Sequence, residues 1–248
     1  MLAKRIIAVL TFENGELTRT QNFLADYTYT KNFINNTLFD GIVLIDISKN
    51  MKNRKKFYKI VENFSKNCFV PICVGGKIKN LKEVRKFQEL GADKILINSS
   101  LIENISFVKK VLKLFGNQFL VAGIDLKLGR VNYDCFFERG KKKINKPLDK
   151  WLDYINKISP GEVLIQCIER DGTFQGFDLK ILKYLKKKLS CPVLVCGGAG
   201  RWEHFVEAFK VGNVDAVCTN NIFHLTQQSI SSAKEYCYNN SIDIRLEK

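Results

Sequence analysis

The chain of 248 residues is 46% hydrophobic and has a net charge of +15 from 40 basic and 25 acidic side chains. This apolar content excludes a disordered chain, and the length is close to that of a single (β/α)8 barrel with a fully buried core. The first apolar run, residues 6–10, is too short for a signal-peptide core or a membrane span, so we expect a cytoplasmic protein.

Short apolar runs alternate with amphipathic segments along the whole chain. The runs are nearly continuous in valine, isoleucine and leucine, which is typical of parallel strands covered on both faces. Eight strands are predicted, at residues 6–10, 42–46, 69–74, 94–98, 119–125, 162–168, 193–196 and 216–220. Helices are predicted between them, at about 51–66, 80–91, 101–115, 147–158, 178–189, 201–211 and 228–240.

This alternation predicts an α/β fold. Eight βα units without a linker rich in proline, glycine or serine favour one closed (β/α)8 TIM barrel over residues 1–248, and a doubly wound open sheet is the alternative. Two connectors are longer than needed, residues 11–30 and 126–146, and the second resembles a hairpin that turns at 138–141. Both follow the carboxyl end of a strand, where barrel active sites are built.

The chain also contains an internal repeat. Two Gly-Gly pairs, at 75–76 and 197–198, lie 122 residues apart, and each follows a short apolar run that begins after a proline. Further matching pieces are residues 93–99 with 215–221 and residues 42–47 with 162–168. A repeat of this length predicts two half-barrels, approximately 1–115 and 116–248.

Each glycine pair is a candidate phosphate site. Glycine lets the backbone approach a ligand closely, and the amides of a loop that opens into a helix hold phosphate. A tight turn would also explain one such pair. The duplication, together with polar strand ends at 98–99 and 220–221, favours two phosphate sites facing each other across one cavity.

Charged residues occur at both ends of the predicted strands. Asp125 ends an otherwise apolar strand, and the two explanations for this carboxylate are a catalytic role and a salt bridge. Asp46 ends the second strand in the same way. The run 171–178 is long for a connector, and its last residue, Asp178, is a plausible helix N-cap. The charged residues near strand starts, where charges normally stabilise the fold, are Arg5, Lys94 and Glu162.

Cysteine and lysine usage point to no further site. Eight cysteines without a CxxC pair indicate buried reduced thiols rather than zinc ligands or disulfides. Lysine clusters at 52–59, 141–146 and 186–188 lie in predicted helices or at a loop tip, so we interpret them as solvated faces rather than a nucleic-acid site. The same positive field would suit a phosphorylated substrate or an acidic partner.

Several segments together resemble the cyclase subunit of imidazole glycerol phosphate synthase. They are residues 1–8, 91–94 with 97–98, 170–173, 197–200 and 245–247. The preceding isomerase of the same pathway shares the duplicated barrel, but the N-terminal match and the Arg170–Thr173 run favour the cyclase. The resemblance covers essentially the whole chain and implies no cofactor and no metal.

The resemblance also implies a reaction and a partner. Ammonia comes from a HisH-type glutaminase subunit bound to the N-terminal face of the barrel and travels through the barrel core. It attacks a bisphosphorylated aminoimidazole carboxamide nucleotide, which splits into imidazole glycerol phosphate and the free carboxamide ribonucleotide.

Carried over by position, the resemblance makes Asp125 one of two catalytic aspartates. The implied phosphate and substrate contacts are Arg19, Gly76, Lys77, Asn98, Ser99, Asp171, Gly172, Gly198, Asn220 and Asn221. The implied charged gate of the ammonia tunnel uses Arg5, Lys94 and Glu162.

The chain departs from the family at several of these positions. Thr11 replaces the other catalytic aspartate, and a hydroxyl cannot replace a carboxylate as an acid or base near neutral pH. Gly41 replaces the glutamate that completes the gate, and Lys77 replaces a glycine of the first phosphate loop. Further departures are Asn220-Asn221 after the last strand and Gln166, Cys167 and Glu169 after the sixth.

We therefore expect a diverged member of this family that still uses ammonia and a phosphorylated substrate. One alternative is the orthodox enzyme with its acid relocated to Asp46, Glu13 or Glu169. A second is an amidotransferase subunit that forms an acetamidino group on a nucleotide-linked sugar in surface-glycan biosynthesis. A third is a non-catalytic barrel that binds and activates a glutaminase, and a fourth is a basic nucleic-acid binder.

Overall fold

The computed structural model describes residues 3–28, 38–130, 132–219 and 230–246. The strands are β1 (Arg5–Glu13), β2 (Glu16–Gln21), β3 (Leu24–Thr28), β4 (Ile42–Asp46), β5 (Ile72–Gly75), β6 (Lys94–Ile97), β7 (Leu120–Leu128), β8 (Tyr133–Phe137), β9 (Lys142–Lys143), β10 (Glu162–Cys167), β11 (Val193–Cys196) and β12 (Ala216–Thr219). The helices are α1 (Arg54–Asn67), α2 (Leu81–Glu89), α3 (Ser99–Glu103), α4 (Ile105–Phe115), α5 (Leu148–Ile158), α6 (Leu179–Lys188), α7 (Trp202–Lys210) and α8 (Ile230–Asn239). Within these ranges, no helix is both long and apolar enough to cross a membrane.

Eight of the strands form a closed parallel barrel. Their order round the ring is β1, β4, β5, β6, β7, β10, β11 and β12, and β12 pairs in parallel with β1. Closure removes the free edges that an open sheet would have. The predicted (β/α)8 barrel is therefore confirmed, and the doubly wound alternative is wrong.

Two predicted elements differ from the structure for local reasons. The third barrel strand begins at Ile72 rather than residue 69, because Phe69 is 97% exposed and Pro71 has no backbone N–H to donate to the ladder. The predicted helix 101–115 is divided at Asn104, whose side chain accepts a hydrogen bond from Phe107 N at 3.1 Å and so begins α4. The N-cap role of Asp178 is confirmed by its bond from Ile181 N at 3.3 Å.

The two long connectors both carry β-structure at the carboxyl end of the barrel. After β1 the chain turns back as the antiparallel strands β2 and β3, and after β7 it turns back as β8 and β9. The turn at 138–141 lies where the sequence predicts it. The first arm of this hairpin begins at Tyr133, because Gly129 and Asn132 close an earlier turn.

The alternation of side chains along the strands decides which residues reach the barrel axis. One buried cluster fills the interior: Ile7, Val9, Val43, Cys73, Leu96, Val121, Leu164, Leu194, Cys196, Ala216 and Cys218. A second, larger cluster lies between the strands and the helices. Because side chains alternate along a strand, every second residue after an interior one also faces inward. Thr11 follows Val9 on β1 and Asp125 follows Val121 on β7 in this way, so both face the axis at the carboxyl mouth.

Candidate active site

Asp125 is an inward-facing carboxylate at the end of the barrel part of β7. It is only 7% exposed. Burial raises its pKa to about 7; a hydrogen bond from Asn98 opposes this rise, and the negative charge of Asp171 adds to it. A carboxyl group with this pKa exchanges protons readily near neutral pH, as general acid–base catalysis requires.

Thr11 lies at the same mouth, on β1. Its side chain is buried, and its hydroxyl donates a hydrogen bond to the carbonyl of Thr18 on β2. The hydroxyl is therefore engaged by the backbone of the neighbouring strand. At this position the chain has neither a carboxylate nor a free polar group.

A cavity of about 40 Å³ opens at the mouth beside Thr11. Its lining joins three positions proposed from the sequence for substrate binding: Asp171, Gly172 and Gly198. The lining also includes Thr20, Phe174 and Thr219, and no sequence motif marks these three as substrate contacts. Asn220 and Asn221, also proposed as substrate contacts, lie outside the described residues.

The second glycine loop requires residues without a Cβ. Gly198 has φ +111°, and a Cβ there would lie 2.2 Å from the carbonyl oxygen of Gly176. Gly172 has φ +72°, and its Cβ would lie 2.7 Å from the carbonyl oxygen of Thr20. These close approaches explain the glycines and keep the backbone of the loop open to a ligand.

The first glycine loop contains a buried cation. Lys77 follows Gly76, and its Nζ atom is buried without a hydrogen-bond partner among the described residues. Burial lowers the pKa of Lys77, although the charge of Asp46 opposes this. An ammonium group in such surroundings is suited to bind an anion.

The other half of this site lies at the end of β6. Asn98 donates from its side-chain amide to the carbonyl of Phe136 at 3.4 Å, and Ser99 Oγ accepts from Glu138 N at 3.2 Å. Both contacts come from the hairpin that follows β7. The hairpin therefore covers the first candidate phosphate site and links it to Asp125.

We expect substitution of Gly76 to damage this loop. Gly76 has φ +95°, and a Cβ would lie 2.2 Å from the carbonyl oxygen of Asp46. Gly116 is a matched control, since it has φ +81° but no atom within 4 Å of a Cβ. Gly76→Ala should lower the free energy of unfolding by about 1–3 kcal/mol more than Gly116→Ala, measured by urea unfolding, because only Gly76→Ala adds a steric clash. Equal losses would contradict this explanation.

Arg19 lies on β2 above the mouth. Its guanidinium pairs with Asp26 at 3.0 Å and lies over the ring of Phe174, 5.8 Å from the centroid. Its Nε atom is buried without a hydrogen-bond partner within the described residues. The structure thus brings Arg19 next to the cavity through Phe174.

The predicted gate residues lie together at the opposite end of the barrel. Glu162 accepts from both cations, with its two oxygens 2.8 Å from Arg5 Nη2 and 2.8 Å from Lys94 Nζ. A second cavity, of about 30 Å³, is lined by these three residues and by Gly41. A Cβ at Gly41 would make only ordinary contacts, the nearest at 3.4 Å, so the backbone does not require glycine there.

The carboxylate next to Gly41 does not replace the missing gate glutamate. Asp40 accepts from Lys234 Nζ at 2.9 Å and from Ile6 N at 2.8 Å, so both its oxygens are engaged. The described charged residues that line this cavity are therefore two cations, Arg5 and Lys94, and two carboxylates, Glu162 and Asp40, but only Glu162 pairs with Arg5 and Lys94.

The cavity at the carboxyl mouth and the cavity at the opposite end share no lining residue, and consecutive inward positions of the same strands line one or the other. We call the cavity beside Arg5 and Glu162 the lower cavity and the cavity beside Thr11 the upper cavity. On β1, Ile7 lines the lower cavity and Val9 lines the upper cavity. On β11, Leu194 lines the lower cavity and Cys196 lines the upper cavity. The interior between them is packed with apolar side chains, as in other barrels of this size.

Two residues considered as relocated acids are not at the mouth as free carboxylates. Asp46 faces away from the axis, on the same side of β4 as Leu44, and pairs with Arg54 at 2.7 Å. Asp46 ends its strand as predicted, but it faces the helices and forms a salt bridge rather than reaching the mouth. Glu169 accepts a hydrogen bond from Leu128 N at 3.0 Å.

Comparison with known proteins identifies the family. Residues 8–229 match the family described as Histidine biosynthesis protein. The HisF subunit of imidazole glycerol phosphate synthase from Hydrogenobaculum sp. (strain Y04AAS1) is 32% identical over 253 residues, covering 99% of this chain and 100% of that protein. HisF from Pyrococcus furiosus is 32% identical over 252 residues, covering 100% of both chains. HisF from Pelodictyon phaeoclathratiforme is 33% identical over 251 residues, covering 99% of this chain and 100% of that protein.

The family match covers the barrel from within β1 to beyond β12, including both glycine loops, and Arg5 lies before it. Identity above 30% over full-length relatives leaves no part of the described barrel outside the comparison. The chain belongs to the family of HisF subunits of imidazole glycerol phosphate synthase.

Proposed function

We propose that this chain is an ammonia-using cyclase, a lyase of the imidazole glycerol phosphate synthase type, that has diverged at its substrate-facing positions. One observation carries the proposal. The inward faces of the barrel hold Asp125, with a pKa raised to about 7, at one end and the Arg5–Glu162–Lys94 cluster at the other. This arrangement provides proton transfer at the mouth and a charged entrance on the opposite face.

Ammonia enters at the charged cluster and reaches the mouth through the interior. The cavities at the two ends are lined by consecutive inward positions of β1 and β11, and the barrel interior is filled with apolar side chains. Neutral ammonia crosses such an interior at far lower cost than ammonium, because burying an unpaired charge is expensive. Small side-chain movements of Leu194 and Leu164 suffice to connect the cavities.

The acceptor is a compound with a phosphate at each end. The loop at Gly76–Lys77 binds one phosphate with its buried ammonium group, and the loop at Gly198 binds the other with backbone amides. A net charge of +15 favours the approach of such an anion.

A glutaminase subunit binds the N-terminal face and supplies the ammonia. Phe69 is 97% exposed in the segment before β5, beside Pro71, which lines the lower cavity. Exposed aromatic residues are enriched among the anchors of protein interfaces. The glutaminase therefore binds around the entrance through which the ammonia passes.

The other candidate functions lack comparable support. The relatives named above are all called HisF subunits, and none is named as a sugar-modifying amidotransferase. A barrel that only activates a glutaminase would not need the raised pKa of Asp125.

The proposal is tested by restoring the missing acid. With ammonium salt, the wild-type chain should convert the histidine-pathway nucleotide slowly. Thr11→Asp should raise kcat at least tenfold, since an acid–base group contributes about 10²–10⁴ in rate. Thr11→Asn is the control, because it has nearly the same shape but cannot exchange a proton near neutral pH. A wild-type rate equal to that of a family member with the aspartate, or no gain in Thr11→Asp, would contradict the proposal.

A further inference from the structure

The mouth cavity is lined by a carboxylate, and this carboxylate is not Asp125, which lies outside the lining. Among its described lining residues, the one acidic side chain is Asp171, which shares the cavity with Thr11. Gln166 lines the same cavity and is the direct register partner of Asp125 on the neighbouring strand. Asp171 therefore lies on the side of the cavity shared with Thr11, with Gln166 connecting it to Asp125.

The two aspartates interact electrostatically. The negative charge of Asp171 is one of the causes that raise the pKa of Asp125. It also contributes to the raised pKa of the Cys196 thiol on β11, whose main cause is burial. Two carboxyl groups in one buried mouth are poised to hold different protonation states, as acid–base pairs require.

The hairpin that follows β1 holds Asp171 in place. Asp171 Oδ2 accepts from Phe23 N at 3.0 Å, and the Asp171 carbonyl accepts from Asn22 N at 3.1 Å. Burial raises the pKa of Asp171, while the Phe23 amide, the Thr20 hydroxyl and the charge of Arg19 oppose the rise. The charged and titratable groups facing it are thus Arg19 on β2, Asp125 on β7 and Cys196 on β11.

We propose that Asp171 is the second acid–base residue of this mouth and acts with Asp125, less effectively than an aspartate at position 11 would, in the role that the family resemblance gives to the position of Thr11. The assignment follows from the shared cavity, from the interaction between the two carboxylates and from the engagement of the Thr11 hydroxyl by a backbone carbonyl. It rests on the proposed function, because it requires an ammonia acceptor bound in the cavity.

The proton inventory of the reaction explains why two groups are needed. Ammonia forms a bond to a carbonyl carbon of the acceptor, and the C=O π electrons move to oxygen. One carboxylate takes a proton from nitrogen while the other, protonated carboxyl gives one to oxygen. When the C–O bond then breaks, the first group returns its proton to the departing oxygen and the second takes a proton from nitrogen. One water leaves for each C=N bond, and both carboxyls recover their starting states.

A double-mutant cycle tests the proposal in the complex with its glutaminase and with ammonium salt. Asp171→Asn keeps an oxygen that accepts from Phe23 N but removes the acid. It should lower kcat about 10²–10⁴-fold in the Thr11 background and much less in the Thr11→Asp background, where a second acid is present. Asp178→Asn is the matched control, because Asp178 lies on the same loop outside the cavity and caps α6. It should leave kcat unchanged.

A carboxyl titration by ¹³C NMR provides an independent readout. In Asp171→Asn, the titration midpoint of Asp125 should fall, because a neighbouring negative charge is gone. Equal kcat losses in both backgrounds, or an unmoved Asp125 midpoint, would overturn the proposal. If the wild-type chain consumes no ammonia with the nucleotide, the proposed function fails by itself, and the Asp125 midpoint alone then decides whether the two carboxylates are coupled.

Discussion

Asp125→Asn is expected to reduce ammonia-dependent turnover about 10²–10⁴-fold, the usual effect of removing an acid–base group. The wild-type kcat should depend on pH with a limb near pH 7, because burial raises the pKa of Asp125 to about 7. This limb should be absent from the residual activity of the variant. The measurement is a pH–rate profile with ammonium salt at saturating nucleotide.

The same variant should be more stable than the wild type at pH 8. The folded state holds the Asp125 proton more tightly than the unfolded chain, whose carboxyl has the ordinary value of 3.8. The stability that this proton contributes is complete below that value and is lost as the pH rises through about 7. Asparagine does not titrate, so it avoids the loss. Urea unfolding at pH 5 and pH 8 measures the difference.

Asp134→Asn is the matched control for both measurements. Asp134 lies on the hairpin strand that pairs with β7, but it is paired with Lys143 at 2.7 Å and its side chain is 31% exposed. Its replacement should leave kcat and the pH limb unchanged. Wild-type turnover in Asp125→Asn, or lower stability of that variant at pH 8, would exclude a buried catalytic carboxyl at this position.

Arg54→Ala is expected to lower the free energy of unfolding by about 3–5 kcal/mol, since removing one partner leaves buried charges uncompensated. The Arg54 side chain is 5% exposed and pairs with Asp46 and Glu83, each at 2.7 Å. Its guanidinium also donates to the carbonyl of Gly76 at 2.8 Å and lies 4.9 Å from the centroid of the Phe87 ring. One side chain thus connects α1, β4, α2 and the first glycine loop.

The control for Arg54 is an exposed ion pair on the same helix. Lys66 and Glu62 lie 2.7 Å apart, but both side chains are exposed to solvent. Lys66→Ala should cost about 0.3–0.5 kcal/mol, since water screens such a pair. Urea unfolding of both variants gives the comparison. A similar small loss in the two variants would show that the Arg54 network contributes little to the fold.

Arg54→Ala should also weaken phosphate binding at the first glycine loop. The hydrogen bond from Arg54 to Gly76 holds this loop against the end of β4. Arg54→Lys keeps the charge but loses the forked geometry of the guanidinium, so it should recover only part of the stability. Inorganic phosphate titrated against each folded variant measures the binding.

Much of the site was predictable because it depends on local patterns. The apolar strand ending in Asp125 and the repeated glycine pairs each carry their information within a few residues. The gate residues Arg5, Lys94 and Glu162 were named through a family resemblance, and the structure brings them into contact. The catalytic, phosphate-binding and gate roles themselves stay predictions, as does the boundary between half-barrels.

Other features depended on contacts between residues distant in the chain. Asp46 and Asp125 both end apolar strands, yet one faces the helices and the other the axis. No short motif distinguishes them, because the face of a strand residue depends on the register of the whole sheet. Arg54 looked like one more basic residue on a lysine-rich helix, and only packing showed that its charge is buried.

The sequence by itself determined the ring of alternating strands and helices, the duplication and the two polar ends of the inward-facing strands, because hydrophobic periodicity and glycine placement are local properties. Only the tertiary structure decided that Asp171 shares a cavity with Thr11 and that Asp46 is sequestered by Arg54. The first fact follows from barrel closure and from a hairpin folding over the mouth, which bring together residues as distant in the chain as Thr11 and Asp171. The second follows from the packing of α1 against the outer face of β4.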